Sequence, residues 1–448
     1  MCFEVSRCRR LVRVKHKTLI VLFTVSVLWY LTFTLCLLYG KISIVPTLLD
    51  SRSSISDNNS RQDSFLDTFS HVGSSCKEKT NFVFIKGMKC ATSTLLGVFY
   101  RFGYTRNLSF VSPLRNRLYL NWPYPMTKRD FRPSSRGYNI LTDHSVFSET
   151  VMGEIMPADT IYISIVREPW THVLSIFQYF KIHLVAGVPQ NVTNPVVEYF
   201  THVEKYESHY ASPLNKERLF CYPAGFSFTR NLMSHCHGMP LGFPPGTKDI
   251  SNDPDAVDQY LKHLDKKFGL IMIVEYFYES LILLRRLMCW AFRDILFIRA
   301  NVARYDFDVT KIDPHVVDIY RNWSSIDYRL FHYFNQTLWQ RISGQGSLFY
   351  EEVAEFKTVE SHVSAYCQSV YRLGKLPQYP ANVSLLVVSK SSWTGQFSLT
   401  PSDCWMLGPD PYHLLHVVQQ ENDVKEATLL AEHTKLPDNR TASEKSVC

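Results

Sequence analysis

The chain has 448 residues, 46% of them hydrophobic and 14% aromatic, with a formal net charge of +7. Residues 1–17 carry Arg7, Arg9, Arg10, Arg13, Lys15 and Lys17 against Glu4 alone, which accounts for +5 of that charge and leaves +2 for the rest. Nucleic-acid and general polyanion binding thereby lose their compositional support, since both need basic residues clustered on the folded domain.

From Thr18 to Tyr39 no residue is charged, and 22 such residues are enough to cross the hydrocarbon core as a helix. The basic flank at 1–17 then stays in the cytosol. A cleaved signal peptide is the competing reading, but the bulky end Leu35-Cys36-Leu37-Leu38-Tyr39 argues for an uncleaved anchor. Residues 40–77, rich in Ser, Asp and Asn, read as a flexible lumenal stem. A globular α/β domain is expected over 78–358, followed by an appendage at 359–448; no internal repeat is present.

Seven N-x-[ST] acceptors at Asn58, Asn107, Asn191, Asn322, Asn335, Asn382 and Asn439 agree with passage through the secretory pathway. Eight of the 11 cysteines lie beyond the anchor, where disulfides form. Cys221 with Cys236 and Cys367 with Cys404 are candidate pairs, and Cys90 is a candidate free thiol.

Residues 82–103, FVFIKGMKCATSTLLGVFYRFG, read as a buried strand, a short loop and an amphipathic helix. Leu95, Val98, Phe99 and Phe102 form one face at helical spacing, with Gly103 as the expected stop. Lys86 and Lys89 flank the start of the loop, and Thr92, Ser93 and Thr94 fall at the first helical turn. A helix N-terminus presents unpaired N–H groups and the positive end of a macrodipole, which suits a phosphate or sulfate. An ATP loop would need a second glycine before the lysine, and none stands between Gly87 and Lys89.

Tyr138 to His144 reads as a short strand whose end carries His144, the candidate general base; Asp143 and Glu149 are lesser alternatives. Thr160 to Val166 reads as a second buried strand ending at Arg167-Glu168-Pro169, with a helix running on to Phe180. Arg167 then sits at a strand's carboxyl end and Ser175 two turns into the next helix. In an open parallel sheet that edge is where ligands bind, and an arginine supplies a planar fork for phosphate. Further on, Asp253-Pro254-Asp255 and Asp306-Phe307-Asp308 are two D-x-D strings. They keep open a second reading, a type II Golgi glycosyltransferase with a metal and a nucleotide sugar.

The string Lys89-Cys90-Ala91-Thr92-Ser93-Thr94 resembles the 5′-phosphosulfate loop of sulfotransferases, and Arg167 with Ser175 resembles their 3′-phosphate motif. With YNILTDHSVF, FGLIMIVEYFYESLILLRRLMCWAFRDILFIRANVAR and YRNWSSIDYRLFHYFNQTLWQRI in family order, the stretch 81–355 resembles the galactose 3-O-sulfotransferases, which include galactosylceramide sulfotransferase. The resemblance implies a single-pass type II Golgi enzyme with a P-loop-like sulfotransferase fold, a parallel central sheet flanked by helices. It implies transfer of sulfate, without a metal, from 3′-phosphoadenosine 5′-phosphosulfate to the 3-hydroxyl of a β-galactose on a glycolipid or glycan, and it allows a homo-oligomer. Lys89 and Cys90 to Thr94 would hold the 5′-phosphosulfate, Lys89 would neutralise the leaving oxygen, Arg167 and Ser175 would hold the 3′-phosphate, and His144 would be the base. The chain departs from the pattern at Ser212–Asp253, which lacks an expected aspartate-leucine-glycine segment, and at Cys90, where threonine is more usual.

Overall fold

A computed structural model describes residues 76–114, 118–212, 223, 225–298, 304–373, 384–408 and 412–434. The expected anchor at 18–39 and most of the stem lie outside these, as do Asn58, Asn382, Asn439 and Cys221. Among the described residues no helix is long and apolar enough to cross a membrane.

The architecture is α/β. Four strands, β1 (Phe82–Ile85), β2 (Ile140–Leu141), β3 (Ile161–Val166) and β4 (Phe268–Ile273), form a wholly parallel sheet in the order β2-β1-β3-β4. Helices cover both faces of a parallel sheet, so its strands read as largely apolar runs, here FVFI, IYISIV with Ser164 as its one small polar residue, and FGLIMI. The register sets Ile85 beside Ser164 and Val166 beside Ile273. All four strands therefore end on one edge.

Helix α1 (Thr92–Thr105) follows β1, and α2 (Pro169–Tyr179) follows β3 with Pro169 in its first turn. Glu168 caps α2, accepting from the Trp170 and Thr171 amides at 3.0 and 2.7 Å. Gly103 does not stop α1; it lies inside the helix. A Cβ there would come within 2.3 Å of the Phe110 ring and 2.6 Å of Ile140, so the glycine lets α1 press onto the chain entering β2. The strand expected over 138–144 shrinks to Ile140–Leu141, because Thr142 and its successors leave the sheet.

Helix α3 (Leu232–Cys236) is one short turn, whereas α4 (Pro254–Lys267), α5 (Phe277–Met288) and α6 (Ser325–Ser343) all pack on β4. Helix α7 (Leu348–Arg372) packs on α5 and runs unbroken through residue 358. Beyond it lie a hairpin, β5 (Leu386–Val388) with β6 (Phe397–Leu399), and helix α8 (Tyr412–Lys425), which packs along α1. The expected Cys367–Cys404 disulfide forms and ties α7 to the segment after the hairpin. The expected Cys221–Cys236 pair does not: Cys236 is a free thiol in the core, and Cys76 pairs instead with Cys289. Of the described glycan acceptors, Asn107, Asn191 and Asn322 are exposed and Asn335 is half-buried on α6.

Candidate active site

Strand order β2-β1-β3 reverses direction at β1, and the crevice outside the carboxyl ends at such a point is where open α/β sheets bind ligands. The loops after β1 and β3 meet there. Lys89 and Ala91 both adopt left-handed backbone conformations, with φ 58° and 53°. For a residue with a Cβ this costs on the order of 1–2 kcal/mol. Such turns gather successive amides into an anion-binding nest. No side chain caps α1, whose first turn opens onto the same loop, and the Ala91 carbonyl accepts from the Thr94 and Leu95 amides at 3.1 and 3.4 Å.

Cys90 points away from this nest, fully buried, with its thiol donating to the Met88 carbonyl at 3.4 Å; burial raises its pKa well above the usual range. Thr92 is buried, and Ser93 and Thr94 are half-buried at the helix start. His172, in the first turn of α2, reaches the Met88 carbonyl through Nε2 at 2.8 Å, and burial brings its pKa down to about 3. It acts as a neutral strut under the loop.

Arg167 joins the two loops. Its Nη1 donates to the Lys89 carbonyl at 3.2 Å and its Nε to the Thr171 hydroxyl at 3.2 Å. Thr171, Ser175 and Tyr179 continue from Arg167 at four-residue spacing, so they share one side of α2. Ser175 is buried on that side, and the Lys89 ammonium lies 4.0 Å from the centre of the Tyr179 ring. Burial, and then the charge of Arg167, lower the Lys89 pKa.

The end of β2 supplies a second polar cluster, around Lys86. That lysine is 1% exposed, and its ammonium has no hydrogen-bond partner among the described residues. Burial lowers its pKa from 10.5 to about 8, against the pull of Asp143. Asp143 is equally buried; the Tyr100 hydroxyl donates to it, with both carboxylate oxygens at 2.9 Å, and burial lifts its pKa to about 6. His144 lies beside the rings of Tyr119 and Trp122, at 5.1 and 6.5 Å. Its Nδ1 is buried without a partner among the described residues, and burial together with the Lys86 charge holds its pKa well below 6.5. The ring is thus neutral near pH 7 and free to take a proton. Ser145 adds a buried hydroxyl without a partner among the described residues, and Thr142 a buried hydroxyl beside that of Tyr100.

Glu149 is not part of this site. It is exposed at the start of a short helix, Glu149–Ile155, and pairs with Lys267 at 2.9 Å and His263 at 3.2 Å. Asp143 does not orient His144 either, because its oxygens face Tyr100 and Lys86. The D-x-D strings have structural roles. Asp253 caps α4 through the Ala256 amide at 3.0 Å, Asp306 pairs with Lys181, and Asp308 holds the Thr310 amide at 2.9 Å. Among the described residues no group of three or more His, Cys, Asp and Glu side chains is placed to hold a metal ion.

The departing segment around Asn231 to His237 reaches the same edge. Asp327, fully buried, holds the Met233 and Ser234 amides at 3.1 and 2.8 Å, and Met233 places its sulfur 3.4 Å from the Arg167 amide. Sequence reasoning placed Lys86 at the anion loop without giving it a role of its own, and passed over Thr171 and Tyr179 as site residues. The signal for Lys86 was a lysine directly ending a wholly apolar strand; for the other two it was their four-residue spacing from Arg167.

The family described as Galactose-3-O-sulfotransferase matches residues 3–373. The chain belongs to that family. It is 30% identical over 274 residues to galactose-3-O-sulfotransferase 2 of Homo sapiens, covering 59% of this chain and 62% of that protein. The corresponding protein of Sus scrofa is 30% identical over 301 residues, covering 64% and 69%. Galactosylceramide sulfotransferase of Homo sapiens is 27% identical over 300 residues, covering 65% of each chain. The chain thus spans 62% to 69% of the length of these relatives.

Proposed function

We propose that this protein transfers a sulfuryl group from 3′-phosphoadenosine 5′-phosphosulfate to the 3-hydroxyl of a terminal β-galactose on a glycolipid or glycoprotein glycan. The observation that carries the reading is the Arg167–Lys89 contact, which unites two motifs 78 residues apart at one crevice. Family membership supports the reaction class, and the names of the relatives support a galactoside acceptor. The sheet order with its anion loop after β1 supports a P-loop-like sulfotransferase fold. The basic 1–17 and uncharged 18–39 segments support a type II membrane protein with its catalytic part in the Golgi lumen.

The residues present suit such a donor, since a buried ammonium at Lys86 without a hydrogen-bond partner among the described residues calls for an anion. The amides of the Lys89–Ser93 nest and the Lys89 ammonium hold the 5′ end; Arg167, with the hydroxyls of Thr171 and Ser175, holds the 3′-phosphate. The donor supplies an activated sulfur. His144 takes the acceptor proton at Nδ1 as the galactose oxygen bonds to sulfur and the sulfur–phosphate oxygen bond breaks. Lys89 meets the charge that develops on the departing oxygen, an electrostatic role. An anion beside Lys86 also offsets the charge that depresses His144, and so makes the ring more basic as donor binds.

The test is transfer of labelled sulfate to a panel of β-galactosides, with linkage analysis of the product. Lys89→Ala and Arg167→Ala should each abolish measurable donor binding. Parent-like donor affinity in both, or metal-dependent use of a nucleotide sugar, would sink the reading.

A further inference from the structure

Helix α8 lies beyond residue 373, where the family match ends. It packs along α1, and two contacts tie its far end to the chain that leads into β2: Asp423 receives Arg132 at 2.5 and 3.0 Å, and Glu426, just past its end, receives the Ser135 amide and hydroxyl at 3.0 and 2.8 Å. Its first residue, Tyr412, therefore has a set position over the anion loop. The Lys86 ammonium lies 5.3 Å from the centre of the Tyr412 ring, and the Tyr412 hydroxyl pairs with the side chain of Ser93. Tyr179, Tyr119 and Asp143 act on the Tyr412 hydroxyl electrostatically.

We propose that Tyr412 is a positioning residue of the phosphosulfate site and that α8 forms one of its walls. The inference rests on the sulfotransferase reading. A lysine has a long flexible stem, and a compact ammonium must be held in place to serve as a binding group. An aromatic face attracts the ammonium without offering it a hydrogen-bond acceptor, so its N–H donors remain free for donor oxygens. The Tyr412 hydroxyl in turn fixes the rotor of Ser93 at the first turn of α1. Both effects prepare groups before ligand arrives, which strengthens binding without adding a direct contact.

The experiment uses the full chain in detergent and measures binding of 3′-phosphoadenosine 5′-phosphate by calorimetry, alongside donor KM, acceptor KM and kcat. Tyr412→Phe keeps the ring and loses the hydroxyl, and should weaken binding about fivefold. Tyr412→Ala loses both and should weaken it roughly tenfold or more, with donor KM rising in step and kcat and acceptor KM little changed. Parent-like affinity in Tyr412→Phe overturns the proposal, also where Tyr412→Ala fails to fold. A fall in kcat with a rise in acceptor KM and a lower melting temperature overturns it too, because that pattern marks a merely structural role. Lys89→Ala, run beside them, separates the two ideas. If it abolishes binding while the Tyr412 variants match the parent, only the role of α8 fails. If it binds as the parent does, the donor site itself is wrong.

Discussion

Replacing Lys86 with methionine and Asp143 with asparagine should make this protein more stable and unable to hold its donor well. The Lys86 pKa falls from 10.5 to about 8 because burial strips water from the ammonium, against the pull of Asp143. At 1.36 kcal/mol per unit, keeping it charged at pH 7 costs roughly 3 kcal/mol relative to the unfolded chain. Asp143, lifted from 3.8 to about 6, carries a cost of about 3 kcal/mol on the same scale. The two overlap through their mutual attraction, so the double substitution should stabilise by about 2–4 kcal/mol. Asparagine keeps an acceptor for the Tyr100 hydroxyl, and methionine fills the lysine stem's volume.

The pH dependence follows from the signs. Lys86 is depressed, so its penalty is fully present below pH 8 and fades between about 8 and 10.5. Asp143 is raised, so its penalty is present above about 6 and fades toward 3.8. The gain in melting temperature should therefore be largest between pH 6 and 8 and shrink on either side. Calorimetric melting across this range is the assay, with titration of 3′-phosphoadenosine 5′-phosphate beside it. A variant that melts no higher than the parent at pH 7, or that keeps full donor affinity, refutes the argument that Lys86 is held charged for an anion.

His144→Ala should lose turnover while donor affinity stays within about twofold of the parent, since a base acts on the acceptor; equal loss of donor binding rules this role out. The pH profile of kcat/KM for the donor should fall as pH rises through about 8, where Lys86 deprotonates, and stay level through 6.5 on the acid side, because His144 is already neutral there. A profile rising through 6.5 would show an uncoupled, ordinary histidine as the base. Gly103→Ala gains about 1 kcal/mol of helix propensity but drives a Cβ into Phe110, and overpacking of that kind costs about 1–3 kcal/mol. Thermal melting should show a net loss; a higher melting temperature would mean that α1 can shift away from Phe110.

The strand, loop and first turn at residues 82–94 were legible because each depends on near neighbours: an unbroken apolar run, a lysine pair and a cluster of small and hydroxylated residues. Pro169 in the first turn of α2 was legible for the same reason, since its fixed φ acts on its own helix. The Arg167–Ser175 spacing was readable too, although whether it faced Lys89 was not. Glu149 was misjudged because its partners, His263 and Lys267, come from a helix more than 100 residues away. Gly103 was misread for a similar reason: its neighbour Ile140 is brought up by the sheet and not by the helix pattern.

The sequence by itself determined the elements that surround the site and the order in which its phosphate-binding pieces occur. Periodicity and turn chemistry operate over a few residues, and those are printed in the chain. Only the tertiary structure decided that Lys86 is buried beside Asp143 with no hydrogen-bond partner among the described residues, that Cys76 pairs with Cys289, and that Tyr412 returns across more than 300 residues to stand over Lys86. Burial and charge separation are properties of an assembled interior, where removal of water sets both pKa values and the need for a partner.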